Sequence, residues 1–182
     1  MWRLKSNSKL TAGSLIYDVP FFSKLVEDEP RITKFQFSIV LSQACDIESY
    51  YRIMEKMEGN GENDGPINRQ MITQILFVPA FEEESFKAGR HFEEQYGIKL
   101  KGLEAGVFER IEKVQDIRYH FLVTEAADLP SLYVDFKHYF TAPVTLVELI
   151  AGASTKPQYE LETLHYSDLA DRFAHYLQRV PV

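Results

Sequence analysis

Phe35-Gln36-Phe37-Ser38-Ile39-Val40-Leu41 is the stretch on which the reading of the fold turns. Phe35, Phe37, Ile39 and Leu41 recur with a period of two, which predicts a strand with one face in the core. Gln36, Ser38 and Val40 form the other, mixed face. Outward from it, Leu15-Ile16-Tyr17-Asp18-Val19 predicts a shorter strand that stops at Pro20, and Phe21 to Glu29 reads as a connector. After the strand, Ile47, Tyr50, Tyr51 and Met54 fall at helical spacing and predict a helix over 47–57. Gly59 to Pro66 (GNGENDGP) is glycine-rich and polar and predicts a mobile loop. It lacks the Lys-Ser/Thr ending of a phosphate-binding loop, and Glu62 and Asp64 would repel phosphate.

The second half follows the same rules. Ile72 to Val78 predicts a strand closed by Pro79. Phe81, Ser85, Ala88 and Phe92 predict a helix to Tyr96 with Gly97 as its C-cap, so a helical insertion spans 81–97. Val107–Val114, Arg118–Val123, Leu132–Phe136 and Lys137–Ala142 read as strands. Pro143 opens a short helix to Ile150, and AGASTKPQ reads as a loop. Tyr166, Leu169, Ala170, Phe173, Tyr176, Leu177 and Val180 predict a terminal helix with Ser167 as N-cap. Five or six short strands without βαβ regularity predict an α+β domain. Its expected form is a small bent antiparallel sheet or partly open SH3-like barrel, with inserted helices and a C-terminal helix.

Composition bounds the function. The 182 residues are 45% hydrophobic, enough for one domain over 1–182 with a sizeable core. Acids outnumber bases 27 to 20, a net charge of −7, which disfavours RNA as a partner because phosphate contacts need clustered Lys and Arg. One cysteine forms no internal disulfide and fits a reducing, cytoplasmic setting. No run approaches the ~20 apolar residues that span a bilayer. The histidines 91, 120, 138, 165 and 175 show no metal-ligand spacing, and no cofactor fingerprint occurs.

Two groups carry candidate chemistry. Gln43-Ala44-Cys45-Asp46 leaves the end of a buried strand, where side chains reach a cleft. Cys45 is either a nucleophile activated by a nearby cation or a buried small hydrophobe. Gln43 and Asp46 offer hydrogen bonds, and Asp46 also suits the cap of the following helix. Arg118 and His120 share a face by strand alternation, which suits an anionic group or proton transfer; otherwise they belong to a solvent-facing strand edge. Asp135 is either the polar face of an edge strand or a partner for Arg118. The expected cleft joins Asp46 and Arg118, with Gln43 and Cys45 at its wall.

Gly13 to Tyr17 followed by Phe37 to Ser42 resembles the opening of the PemK/MazF-like β-barrels, and Ile75 to Pro79 resembles that group's third strand. The resemblance implies an SH3-like barrel and metal-independent cleavage of single-stranded RNA. Arg31 matches an arginine that serves the chemistry there, while Ala80-Phe81 stands where the family has a hydroxyl. Ser42–Asp46, Arg118–Leu122, Val134–Phe136 and Arg172–Val180 resemble a group of bacterial proteins of unassigned activity. Toxin likeness implies a role in mobile-element or phage conflict. Two functions follow: a non-catalytic module that binds a protein partner, a second copy or a small ligand, and an endoribonuclease using Arg118, His120 and an acid, with Cys45 as a further candidate.

Overall fold

The computed structural model describes residues 1–7, 9–26, 29–60 and 71–179. The first three strands are β1 (Trp2–Leu4), β2 (Ser14–Val26) and β3 (Glu29–Val40). β3 contains the alternating stretch up to Val40 and is central. It pairs antiparallel with β2, Tyr17 opposite Phe37 and Leu15 opposite Ile39, and on its other side with β4 (Gln74–Glu82), Ile39 opposite Val78. Phe35, Phe37, Ile39 and Leu41 are all buried, as the period-two pattern requires.

The opposite face is buried at Ser38 and Val40, while Gln36 stays exposed. Val40 packs with Ile47 and Tyr50 of α1 (Ala44–Asn60) and with Val147 and Ala151 of α5 (Val144–Ala153). Phe37, Ile39 and Leu41 pack with Leu169 and Phe173 of α6 (Thr163–Leu177). The middle of the sheet is therefore a layer between helices.

The remaining strands are β5 (Tyr119–Leu122), β6 (Leu132–Asp135), β7 (Phe140–Pro143) and β8 (Tyr159–Leu161). The order is β1-β8-β2-β3-β4-β6-β5, with β7 also pairing β4. Among the described residues all pairings are antiparallel, and the sheet does not close. The α+β expectation holds, with an open eight-stranded sheet and a C-terminal helix on its face.

Prolines mislead the strand boundaries. Pro20 lies inside β2, opposite Lys34, where β8 no longer flanks the strand because it pairs only Ser14 and Leu15. Pro79 lies inside β4, opposite Ser38. β7 pairs β4 at 74–77 and β6 pairs it at 80–82, so Pro79 falls in the gap between them. In both places the missing N–H costs the ladder nothing. In the expected connector from Phe21 to Glu29, residues 21–26 instead continue β2 against β3, with Lys24 opposite Arg31 and Val26 opposite Glu29, and 27–28 lie outside the described residues.

Further boundaries differ, among them the expected strand over 137–142, where 136–138 form a 3-10 turn and β7 begins at Phe140. Phe81 and Glu82 finish β4, and the expected helix over 81–96 breaks into α2 (Glu83–Lys87) and α3 (Glu93–Tyr96). Gly89 sits between them at φ +69°, where a Cβ would stand 2.5 Å from the Leu100 carbonyl oxygen. Gly97 is the left-handed C-cap, as expected. Residues 105–112 form helix α4, not a strand; Val107, Phe108 and Ile111 meet the aromatic cluster of Phe35, Phe81, Phe86 and Tyr133 at i, i+1 and i+4. α6 starts at Thr163, four residues before the expected Ser167 cap. Of the Gly59–Pro66 loop, Gly59 and Asn60 end α1 and 61–66 lie outside the described residues. No helix among the described residues is long and apolar enough to cross a membrane.

Candidate functional site

The first predicted group stays together at the start of α1. Cys45 is exposed, not packed as a small hydrophobe. Its Sγ lies 3.6 Å from Gln43 Oε1 and 3.8 Å from Asp46 Oδ1. Asp46 is in the first turn of the helix, two residues past its first residue. There a carboxylate favours the helix macrodipole without being the cap. The turn before it is held from both sides. Ser42 Oγ accepts from the Leu76 N–H at 2.9 Å, and Tyr166 Oη donates to the Leu41 and Ser42 carbonyls at 3.3 Å each.

The second group divides in two. Arg118 forms a fork on Asp135, Nε to Oδ1 at 2.9 Å and Nη2 to Oδ2 at 2.7 Å. The open alternatives for Asp135 close: it is Arg118's partner, with 0% exposure, and not the polar face of an edge. The carboxylate also meets His138 Nδ1 at 3.0 Å and the Lys137 N–H at 3.0 Å. Burial pushes the Asp135 carboxyl up, but hydrogen bonds from Arg118 and His138 outweigh it and hold it below the usual carboxylate range. The Arg118 guanidinium lies 4.6 Å from the Tyr119 ring centre.

His120 takes a different partner. It is buried, not at a solvent-facing edge, and its Nε2 lies 3.7 Å from Asp168 Oδ2 on α6. Burial first, then the Arg172 charge, lowers its pKa to about 4, so the ring is neutral at neutral pH. Arg118 and His120 therefore belong to separate polar clusters.

A third site escaped the sequence reading. A cavity of about 660 Å³ lies among the N-terminal segment, α1 and the start of α6. Leu10, Ile47, Tyr51, Leu161 and Tyr166 supply its apolar wall, and Ala44, between Gln43 and Cys45, lines it too. Arg3, Lys9, Glu48 and Arg52 bring charges to it. Gln43, Cys45, Asp46, Arg118, His120 and Asp135 are not in its lining.

At the floor of the cavity Glu160 and Lys5 form a largely buried ion pair, with Arg3 at its exposed rim. Glu160 accepts from Arg3 Nε at 2.5 Å and from Thr11 Oγ1, and lies 4.0 Å from Lys5 Nζ. The Lys5 side chain is 5% exposed, and its ammonium donates to Ser14 Oγ at 2.9 Å, Thr11 Oγ1 at 3.2 Å and the Lys9 carbonyl. Burial lowers the Lys5 pKa against the opposing pull of Glu160. No motif or periodicity in the sequence marks this cluster. Glu160 joins it through the β1–β8 register, which places Arg3 opposite Glu160.

Among the described residues no group of three or more His, Cys, Asp or Glu is placed to hold a metal ion. Comparison with protein-family models, curated proteins and solved structures finds no match to this chain. The class it defines is an open antiparallel sheet with helices on both faces and a walled cavity beside its β1–β8 edge.

Proposed function

We propose that this protein is a non-catalytic binding module that takes a small amphipathic organic ligand in the cavity between α1, α6 and the N-terminal segment. The supporting observation is that cavity: about 660 Å³, apolar on its walls and charged at several lining positions. Ligand pockets fall in the range of about 300–1,000 Å³ and combine an apolar lining with a few convergent polar groups. The Lys5–Glu160 cluster at the floor is already paired, with Arg3 on Glu160 at 2.5 Å, and Lys9 is held by Glu55 at 3.3 Å, which leaves Arg52 to orient a polar head. A bacterial, phage-conflict setting belongs to this proposal only through the toxin resemblance.

The endoribonuclease reading is less well served. Its cation is forked onto a buried carboxylate, and its imidazole is buried, neutral and paired elsewhere. The test uses the anionic aromatic dye 1-anilinonaphthalene-8-sulfonate as probe. The wild-type chain should bind one equivalent saturably. Ala44→Trp, at an exposed helix position lining the cavity, should weaken binding about tenfold or more with an unchanged melting temperature. Arg118→Gln should leave it unaltered. Equal dye affinity in Ala44→Trp overturns the proposal, as does cleavage of single-stranded RNA that disappears in His120→Gln.

A further inference from the structure

His91, between α2 and α3, is 5% exposed, and neither ring nitrogen has a hydrogen-bond partner among the described residues. Leaving a buried polar group unsatisfied costs about 1–3 kcal/mol, so an orphaned imidazole calls for an explanation. Three rings pack against it, Phe81 at 5.0 Å, Phe86 at 4.6 Å and Phe92 at 4.6 Å between centroids, and none offers it a hydrogen bond. Burial lowers the His91 pKa to about 4, so at neutral pH the ring is neutral and one nitrogen is a free acceptor.

The same histidine lines a cleft of about 370 Å³ together with Gln36, Glu82, Ser85, Arg90 and Glu93. Glu82 holds Gln36 Nε2 at 3.0 Å and keeps acceptor capacity to spare. Two carboxylates face one arginine, and Phe81 adds an aromatic wall. An acceptor nitrogen, net negative charge and a ring face are together the complement of a cation that carries N–H donors. An anion would meet Arg90 alone against both glutamates.

We infer that this cleft binds a small organic cation, a guanidinium or primary ammonium, with one N–H donated to the His91 ring and the charge balanced by Glu82 and Glu93. The cation is either a free metabolite-sized amine or the side chain of an arginine or lysine in a peptide. The site is separate from the α1–α6 cavity and does not depend on it.

The experiment follows the imidazole signals of histidine-labelled protein by NMR. Methylguanidine is one probe and the peptide Gly-Arg-Gly the other. Methylguanidine should shift the His91 ring signals saturably. Glu93→Gln, at an exposed position, should weaken this about fivefold, the weight of one partly exposed charge. His91→Leu should abolish binding, and unchanged binding of 1-anilinonaphthalene-8-sulfonate in both variants shows that the fold and the other cavity are intact. Tighter binding of the peptide than of methylguanidine assigns the cation to a protein partner; weaker binding assigns it to a free amine. The proposal is overturned if methylguanidine leaves His91 unmoved, if Glu93→Gln binds as the wild type does, or if acetate or phosphate shifts His91 instead.

Discussion

Asp135 carries its carboxylate to a place with no solvent exposure, and Arg118, His138 and the Lys137 N–H meet it there. A buried ion pair adds little net stability against an apolar replacement, but removing one partner strands the other. Asp135→Asn should therefore cost about 3–5 kcal/mol, read as a lower urea midpoint. The double variant Arg118→Met, Asp135→Leu should recover most of that loss. Equal loss in the single and double variants would assign the cost to packing and not to the stranded charge. Arg118 and Asp135 were recognisable in the sequence as a cation and an acid among apolar residues. Their contact was not, because it depends on the β5–β6 register that sets Tyr119 opposite Asp135.

The end of α4 shows how a local rule can be met by an unsuitable residue. The Gln115 N–H reaches the Arg110 carbonyl and the Val114 N–H reaches the Ile111 carbonyl, which is a Schellman closure. Its left-handed position, usually glycine, is Val114 at φ 63°. A β-branched residue there carries roughly 1–2 kcal/mol of strain, and Val114 is exposed, so its side chain repays little. Val114→Gly should raise stability by about 0.5–1 kcal/mol after the extra chain entropy of glycine is subtracted. Thermal unfolding of the variant checks this, and a lower melting temperature would mean that Val114 packs better than its exposure suggests. This valine is also why 107–114 read as a strand: Val107, Ile111 and Val114 have strand-type side chains, and no Gly or Pro marked the helix end. At Gly97 the glycine was present, and that boundary was legible.

Acid should unfold the whole molecule in two stages. His91 and His120 are held neutral, with pKa values lowered from 6.5 to about 4. The unfolded chain takes up these protons below about pH 6.5, while the folded chain resists until about pH 4. Stability is therefore full above that window and falls as pH drops through it. Each histidine contributes a slope of up to about 1.4 kcal/mol per pH unit. Asp135, held below its usual range, adds a later loss as pH falls through the carboxylate region. Urea denaturation at steps between about pH 7 and pH 4 should show the decline, and the pair His91→Leu, His120→Leu should flatten its upper part. A wild-type curve flat to about pH 4.5 would show that both rings take up protons in the folded chain at the same pH as in the unfolded one.

The sequence by itself determined what depends on near neighbours along the chain. The β3 stripe, the apolar face of the terminal helix, the opening of α5 after Pro143 and the Gly97 cap all come from side-chain periodicity and local backbone preference. Tertiary structure alone decided which strands lie beside Pro20 and Pro79, and so whether a proline ends a strand there. It also added β1 and β8, three residues each, which are too short to show a period and exist because β8 pairs with both β1 and β2. Both cavities followed from the same cause. Glu160 reaches Arg3 across 157 positions, and Gln36 reaches Glu82 across 46. Contacts at such separations leave no local pattern, because their free energy is gained only when the sheet brings the two segments together.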